Sequence, residues 1–126
     1  MNVEKALKAD IDALVELRIE YLREDHGCLS DDVADQISGS LPAYFSAHLG
    51  RDLFCYGIRD GKEIVSCAFL IVVEKPMSPA FINGKTGTVL NVYTKPPFRH
   101  KGYAKAVMEE LVSDAKRMGL CVLELI

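Results

Sequence analysis

Between positions 99 and 105 the chain reads Arg99-His100-Lys101-Gly102-Tyr103-Ala104-Lys105, three cations set around two small residues. A β-rich run from Thr86 to Thr94 precedes this stretch. A helical stripe follows it, so the segment falls at a strand-to-helix junction. A helix N-terminus presents unpaired backbone N–H groups and the positive end of its dipole, which together attract anions. Gly102 leaves room for close approach of a phosphate, and Ala104 adds little bulk. Arg99, Lys101 and Lys105 supply positive charge around the same spot. The residue types suit a diphosphate. Two rival phosphate loops fail. Asn83-Gly84-Lys85-Thr86 imitates the end of a P-loop, but Pro79 stands where its leading glycine belongs and no helical pattern follows. No G-x-G-x-x-G is present, so a dinucleotide fold lacks support.

The elements that must hold this junction can be read from either side of it. Val3 to Leu7 alternates weakly as a short first strand. Asp10 is placed to cap a helix over 11–24, whose stripe is Ile11, Leu14, Leu17 and Tyr21. Ser30 is placed to cap a second helix, with Asp31 and Asp32 in the favourable first turn. Pro42 is expected to break or kink that helix, leaving a further helical stretch before Gly50. The runs Leu53–Arg59 and Glu63–Val73 flank Asp60-Gly61, a strong hairpin signal when both central residues take positive φ. A polar loop spans 74–85, and a third long strand runs over Thr86–Thr94. A helix over 102–118 carries the stripe Ala104, Val107, Met108, Leu111, Ala115 and Met118, and Gly119 ends it. Leu120–Ile126 is a last strand, expected to lie parallel to Thr86–Thr94 after a right-handed crossover.

At 126 residues, with 49% hydrophobic and 26% charged residues, the chain suits one soluble domain spanning 1–126. Its densest apolar run, Val65–Val73, is strand-sized, and the N-terminus lacks an apolar signal region. Neither a membrane span nor secretion is expected. The four cysteines form no C-x-x-C pair and have no His at zinc-ligand spacing. They are expected as small buried hydrophobes in a reducing cytoplasm, with no metal. The net charge of −3 is unevenly spread: residues 1–60 carry 12 acids and 6 bases, and residues 61–126 carry 6 acids and 9 bases. The basic half suits an anionic ligand and the acidic half a cationic one. No basic stripe with interleaved aromatics is present, so nucleic acid is not an expected partner.

Arg99-x-x-Gly102-x-Ala104 resembles the R/Q-x-x-G-x-G/A signature of the GCN5-related N-acetyltransferase superfamily. Asn91 to Arg99 resembles the strand end and Pro-containing turn that precede that signature, and Leu14, Leu17 and Arg18 resemble an L-x-x-L-R pattern of the first helix. The resemblance covers essentially the whole chain. It implies an α/β fold: a mixed sheet with N-terminal helices, a hairpin and a strand–helix–strand coenzyme-binding unit. It also implies acetyl-CoA as co-substrate. Backbone groups of Val92, Tyr93 and Thr94, at a splayed and bulged strand end, would pair with the pantetheine arm. Amides of His100, Lys101, Gly102, Tyr103, Ala104 and Lys105 would cradle the pyrophosphate, beside Arg99. A primary amine would attack the thioester, and a backbone N–H near Val92 would polarise its carbonyl.

The family domain normally continues into another helix and two further strands, and that helix bears a thiol-protonating tyrosine. This sequence stops before them, so a C-terminally incomplete domain is expected and no residue takes the acid role. Glu124 stands on the last strand where some relatives place a carboxylate base, and it is the catalytic candidate. Arg18, Tyr21 and His26 are candidates for the acceptor wall. The outer edge of the last strand is expected to build a homo-oligomer. The leading expectation is an acetyl-CoA-dependent N-acetyltransferase acting on a primary amine of a small molecule or peptide. The alternative is a non-catalytic module that binds coenzyme A or only assembles with a partner.

Overall fold

The computed structural model describes residues 2–126. In chain order it contains β1 (Glu4–Lys5), α1 (Ile11–His26), α2 (Asp31–His48), β2 (Leu53–Asp60), β3 (Glu63–Glu74), β4 (Lys85–Thr94), α3 (Tyr103–Arg117) and β5 (Val122–Leu125). Short 3-10 turns fall at Lys8–Asp10 and Pro96–Phe98. The strands make one sheet in the order β1-β2-β3-β4-β5. The first four are antiparallel to their neighbours, and β5 joins β4 in parallel. The mixed α/β sheet and its parallel return after α3 are as the sequence predicts.

Alternation along the strands divides the core in two. On one face Cys55, Cys67, Phe69 and Tyr93 pack with Leu14 and Leu17 of α1 and Phe45 of α2. On the other, Tyr56, Ala68, Leu70 and Val89 pack with Val107, Leu111 and Ala115 of α3. Each large apolar side chain so buried contributes roughly 1.5–3 kcal/mol. The sheet thereby fixes α1 and α2 against one face and α3 against the other.

Several local features differ from expectation, each for a physical reason. Asp10 stands at the N-cap position of α1 but makes no side-chain capping bond. Its carboxylate instead accepts from the Leu7 amide at 2.8 Å and from Arg59 Nη2 at 2.9 Å. Burial alone would raise its pKa, but that amide and the guanidinium outweigh burial and hold it low. Pro42 does not divide α2, which runs unbroken from Asp31 to His48. Proline there removes the bond to the Ser38 carbonyl, but Pro42 lies on the exposed side, where water can satisfy that group. Leu41 and Phe45, flanking it, pack into the core and anchor the helix on both sides of the proline. The hairpin turn falls one residue later than Asp60-Gly61, because Asp60 pairs with Glu63 and leaves Gly61-Lys62 as the loop. Only Gly61 has positive φ, at 62°, which is the requirement of a turn with glycine first. Among the cysteines, Cys55 and Cys67 are buried as expected, whereas Cys28 and Cys121 are exposed because they sit at the ends of elements.

Candidate functional site

Two local irregularities of the sheet meet in the second half of β4. Pairing with β5 runs from Thr86 opposite Val122 to Val89 opposite Leu125, and the Ile126 amide donates to the Val89 carbonyl at 3.0 Å. Beyond Val89 the two strands separate, so Leu90–Thr94 has no strand partner on that side among the described residues. On the other side the register with β3 shifts between Cys67 and Phe69, and Asn91 takes a positive φ of 55°. This is a bulge, and asparagine tolerates the left-handed backbone better than most residues. Its effect on side-chain direction is plain: Leu90 and Asn91, consecutive in sequence, both face α1 and α2. Leu90 packs into that layer, while Asn91 Oδ1 accepts from Arg18 Nη1 of α1 at 3.2 Å. Asn91 is fully buried, and its Nδ2 also lies 3.7 Å from Cys67 Sγ. Burial pushes the Cys67 thiol up to about 12, so it remains protonated and unreactive at neutral pH.

After Thr94 the chain turns through Pro96–Phe98 and enters α3 with two left-handed residues, His100 at φ 64° and Gly102 at φ 82°. The first helical bond is that of the Ala106 amide to the Gly102 carbonyl at 3.1 Å. The amides of residues 100 to 105 therefore find no backbone acceptor among the described residues. All of these residues except Lys101 border a cleft of about 370 Å³, lined by Val92, Tyr93 and Thr94 on one side and by His100, Gly102, Tyr103, Ala104 and Lys105 on the other. Glu24, Phe98 and Arg99 complete the lining. A concave surface of unpaired amides at a helix N-terminus, beside a strand edge with free backbone groups, fits a diphosphate joined to an extended amide-bearing arm.

The three cations seen in the sequence have different fates. Arg99 directs Nη2 to both carboxylate oxygens of Glu24 at 2.8 Å, and its Nε donates to the Thr94 carbonyl at 2.8 Å. Its charge is engaged, and its work is to tie α1 to the end of β4. Lys101 lies over the Phe98 ring, 5.6 Å from the centroid, and does not line the cleft. Lys105 does line it; its ammonium is 4.0 Å from Glu109 and largely exposed. Glu24 went unnoticed in the sequence because it stands 75 positions from Arg99, with no local pattern linking the two.

Glu124 is not brought to this cleft. It pairs in register with Thr88, and its carboxylate meets Lys75 Nζ at 3.3 Å on the surface. Tyr21 packs edge-on against Tyr93, and His26 is exposed at the end of α1. Arg18 lines a second cavity of about 360 Å³, with Ser40, Leu41, Tyr44, Phe45, Leu53, Phe69, Ile71 and Leu90. Burial raises the Tyr44 phenol, and the Asp52 carboxylate reinforces that shift, so the phenol stays a hydrogen-bond donor at neutral pH. Leu90 lines this second cavity and Val92 lines the cleft, two positions apart on β4. Among the described residues no helix is long and apolar enough to cross a membrane, and no group of three or more His, Cys, Asp or Glu is placed to hold a metal.

Among curated proteins, no relative matches this chain. Among solved structures, the fold is similar to a predicted acetyltransferase from Clostridium acetobutylicum determined with acetyl-CoA, at 26% identity and TM-score 0.84, covering 99% of this chain and 79% of that one. It is also similar to a GCN5-related N-acetyltransferase from Ralstonia eutropha, at 21% identity and TM-score 0.80, covering 99% and 82%. A glucosamine-6-phosphate N-acetyltransferase from Arabidopsis thaliana aligns at 21% identity and TM-score 0.71, covering 99% and 80%. The latter two likenesses speak for the fold alone. The sequence profile of the acetyltransferase (GNAT) family matches residues 11–126, and the chain belongs to that family.

Proposed function

We propose that the protein transfers the acetyl group of acetyl-CoA to a primary amine of a small molecule or peptide. Membership of the acetyltransferase family supports acetyl transfer in general. The observation that carries the specific reading is the open end of β4 facing the unpaired amides of residues 100 to 105 across one cleft. In this reading the pyrophosphate lies on those amides. Dipole and hydrogen bonds stabilise it there without a dedicated arginine. The pantetheine arm adds to the free edge at Val92, Tyr93 and Thr94. The thioester then reaches the bulge, where the Val92 amide polarises its carbonyl oxygen. The amine nitrogen attacks that carbonyl from the side of the second cavity. A C–N bond forms, the C–S bond breaks, the ammonium proton leaves and the thiolate takes up a proton.

Arg99 and Glu24 are positioning residues here, since their pairing fixes α1 against the strand end. We place the protein in the cytoplasm. We also propose that copies associate along the outer edge of β5, which has no strand partner among the described residues and exposes Leu125 and Ile126. Light scattering that gave a stable monomer would remove this last part. The test of the reaction is thiol release from acetyl-CoA in the presence of a panel of primary amines. Amine-dependent release is expected. Coenzyme binding with no turnover on any amine would leave a binding module in place of an enzyme.

A further inference from the structure

The cavity on the α1–α2 face holds an unexpected charge for a chain whose N-terminal half is acidic. Its wall is apolar, formed by Phe45, Phe69, Ile71 and Leu90, and its one charged lining group is Arg18. Arg18 is half-buried and makes no salt bridge among the described residues. Its Nη1 is held by Asn91 Oδ1 at 3.2 Å, and its guanidinium lies 5.9 Å from the Tyr21 ring centroid. The nearby carboxylate of Asp52 is taken by His48 Nδ1 at 2.9 Å. The acids that give this half its negative charge, such as Asp31, Asp32 and Asp35 at the start of α2, are exposed and line no part of the cavity. A polycation would therefore meet a fixed positive charge and a greasy wall.

We infer that the amine acceptor carries a carboxylate together with an apolar body, as an apolar α-amino acid does. The inference rests on the acetyl-transfer reading above. Arg18 presents a planar fork of donors that matches a carboxylate, and among the described residues no acid pairs with it. Asn91, held by the same guanidinium, stands at the bulge between Leu90, which lines this cavity, and Val92, which lines the cleft, so the group that binds the carboxylate is tied to the strand end where the thioester is placed. With the carboxylate on Arg18, the side chain enters the apolar wall, and the neighbouring amine is left to face the residue 91–92 backbone. Tyr44, kept protonated, is available as a second donor to the carboxylate. Charge counted over the whole half of the chain points to a cationic acceptor, whereas the groups that line the cavity select an anionic head and an apolar tail.

The experiment compares leucine, leucinamide and spermidine as acceptors in the thiol-release assay, with acetyl-CoA affinity measured separately by calorimetry. Leucine is expected to be the best of the three. Arg18→Gln is expected to raise KM for leucine about 30-fold, consistent with loss of a charge-assisted bidentate contact worth roughly 2 kcal/mol. The same change should leave acetyl-CoA affinity and the KM for leucinamide within about threefold, and Arg18→Lys should restore part of the loss. Should acetyl-CoA bind and spermidine or leucinamide react better than leucine, the carboxylate inference is overturned while the acetyl-transfer reading stands. An equal effect of Arg18→Gln on leucine and leucinamide would overturn it as well. Failure of acetyl-CoA to bind the parent chain would instead overturn the underlying reading.

Discussion

The two cavities beside β4 are made from different materials. Apart from Glu24 of α1, the cleft at the start of α3 is built from one stretch of chain, residues 92–105, and its donors are backbone amides made available by helix geometry. The cavity under α1 and α2 is built from side chains on α1, α2, β2, β3 and β4, and its one charge is a side chain. The first is a property of local conformation and tolerates many residue types. The second is a property of tertiary assembly and changes with almost any lining residue.

The largest effect should come from spoiling the backbone site. Gly102→Val places a β-branched residue at φ 82° beside the cleft and is expected to weaken acetyl-CoA binding about 100-fold by calorimetry, or roughly 2.7 kcal/mol. A change within threefold would mean that the amides of residues 100 to 105 are not the diphosphate donors. Asn91→Ala tests the boundary between the two sites. It removes the contact that holds Arg18 and puts alanine at positive φ. We expect kcat/KM to fall about 30-fold while coenzyme affinity stays within about threefold. Loss of both together would show that the bulge serves coenzyme binding alone.

Asp114 on α3 provides a contrast away from both cavities. It receives hydrogen bonds from Tyr56 and is paired with Lys5 at 2.8 Å and Arg117 at 3.2 Å. Asp114→Asn should lower stability by about 1.5–2 kcal/mol in denaturant melts, with coenzyme affinity unchanged. Burial raises the Asp114 pKa, but Lys5, Tyr56 and Arg117 outweigh it and hold the folded value below 3.8. The ionised form is thus favoured by folding. The gap between parent and variant is full above the unfolded pKa of about 3.9 and closes as pH falls through the lower folded value. A gap that widened in acid would contradict this assignment. Glu124→Gln is expected to have the smallest effect, changing kcat by about twofold, because its carboxylate meets Lys75 outside the cleft. A drop of about 100-fold would make Glu124 the general base.

The contrast between the two sites also explains what could be read from the sequence. The cleft at the start of α3 was legible because a small-residue pattern, a preceding apolar strand and a following amphipathic stripe all lie within the one stretch of chain from Thr86 to Met118. The bulge left a trace too, a single asparagine in the run Val89-Leu90-Asn91-Val92-Tyr93, although its positive φ and its hold on Arg18 were not visible. The parallel placement of β5 followed from the strand–helix–strand order. Long-range pairings stayed hidden. Glu24 with Arg99 and Arg18 with Asn91 depend on α1 lying across the end of β4, which no local signal specifies. Pro42 misled for a related reason: local propensity argues for a break, and packing of Leu41 and Phe45 overrides it.

Amide resonances of the isotope-labelled chain, followed while acetyl-CoA is added, would locate the co-substrate residue by residue. The largest shifts are expected on residues 100 to 105 and on Val92, Tyr93 and Thr94, with smaller ones at Arg18 and Asn91. Large shifts confined to other surfaces, or no saturable shift at millimolar acetyl-CoA, would contradict that placement.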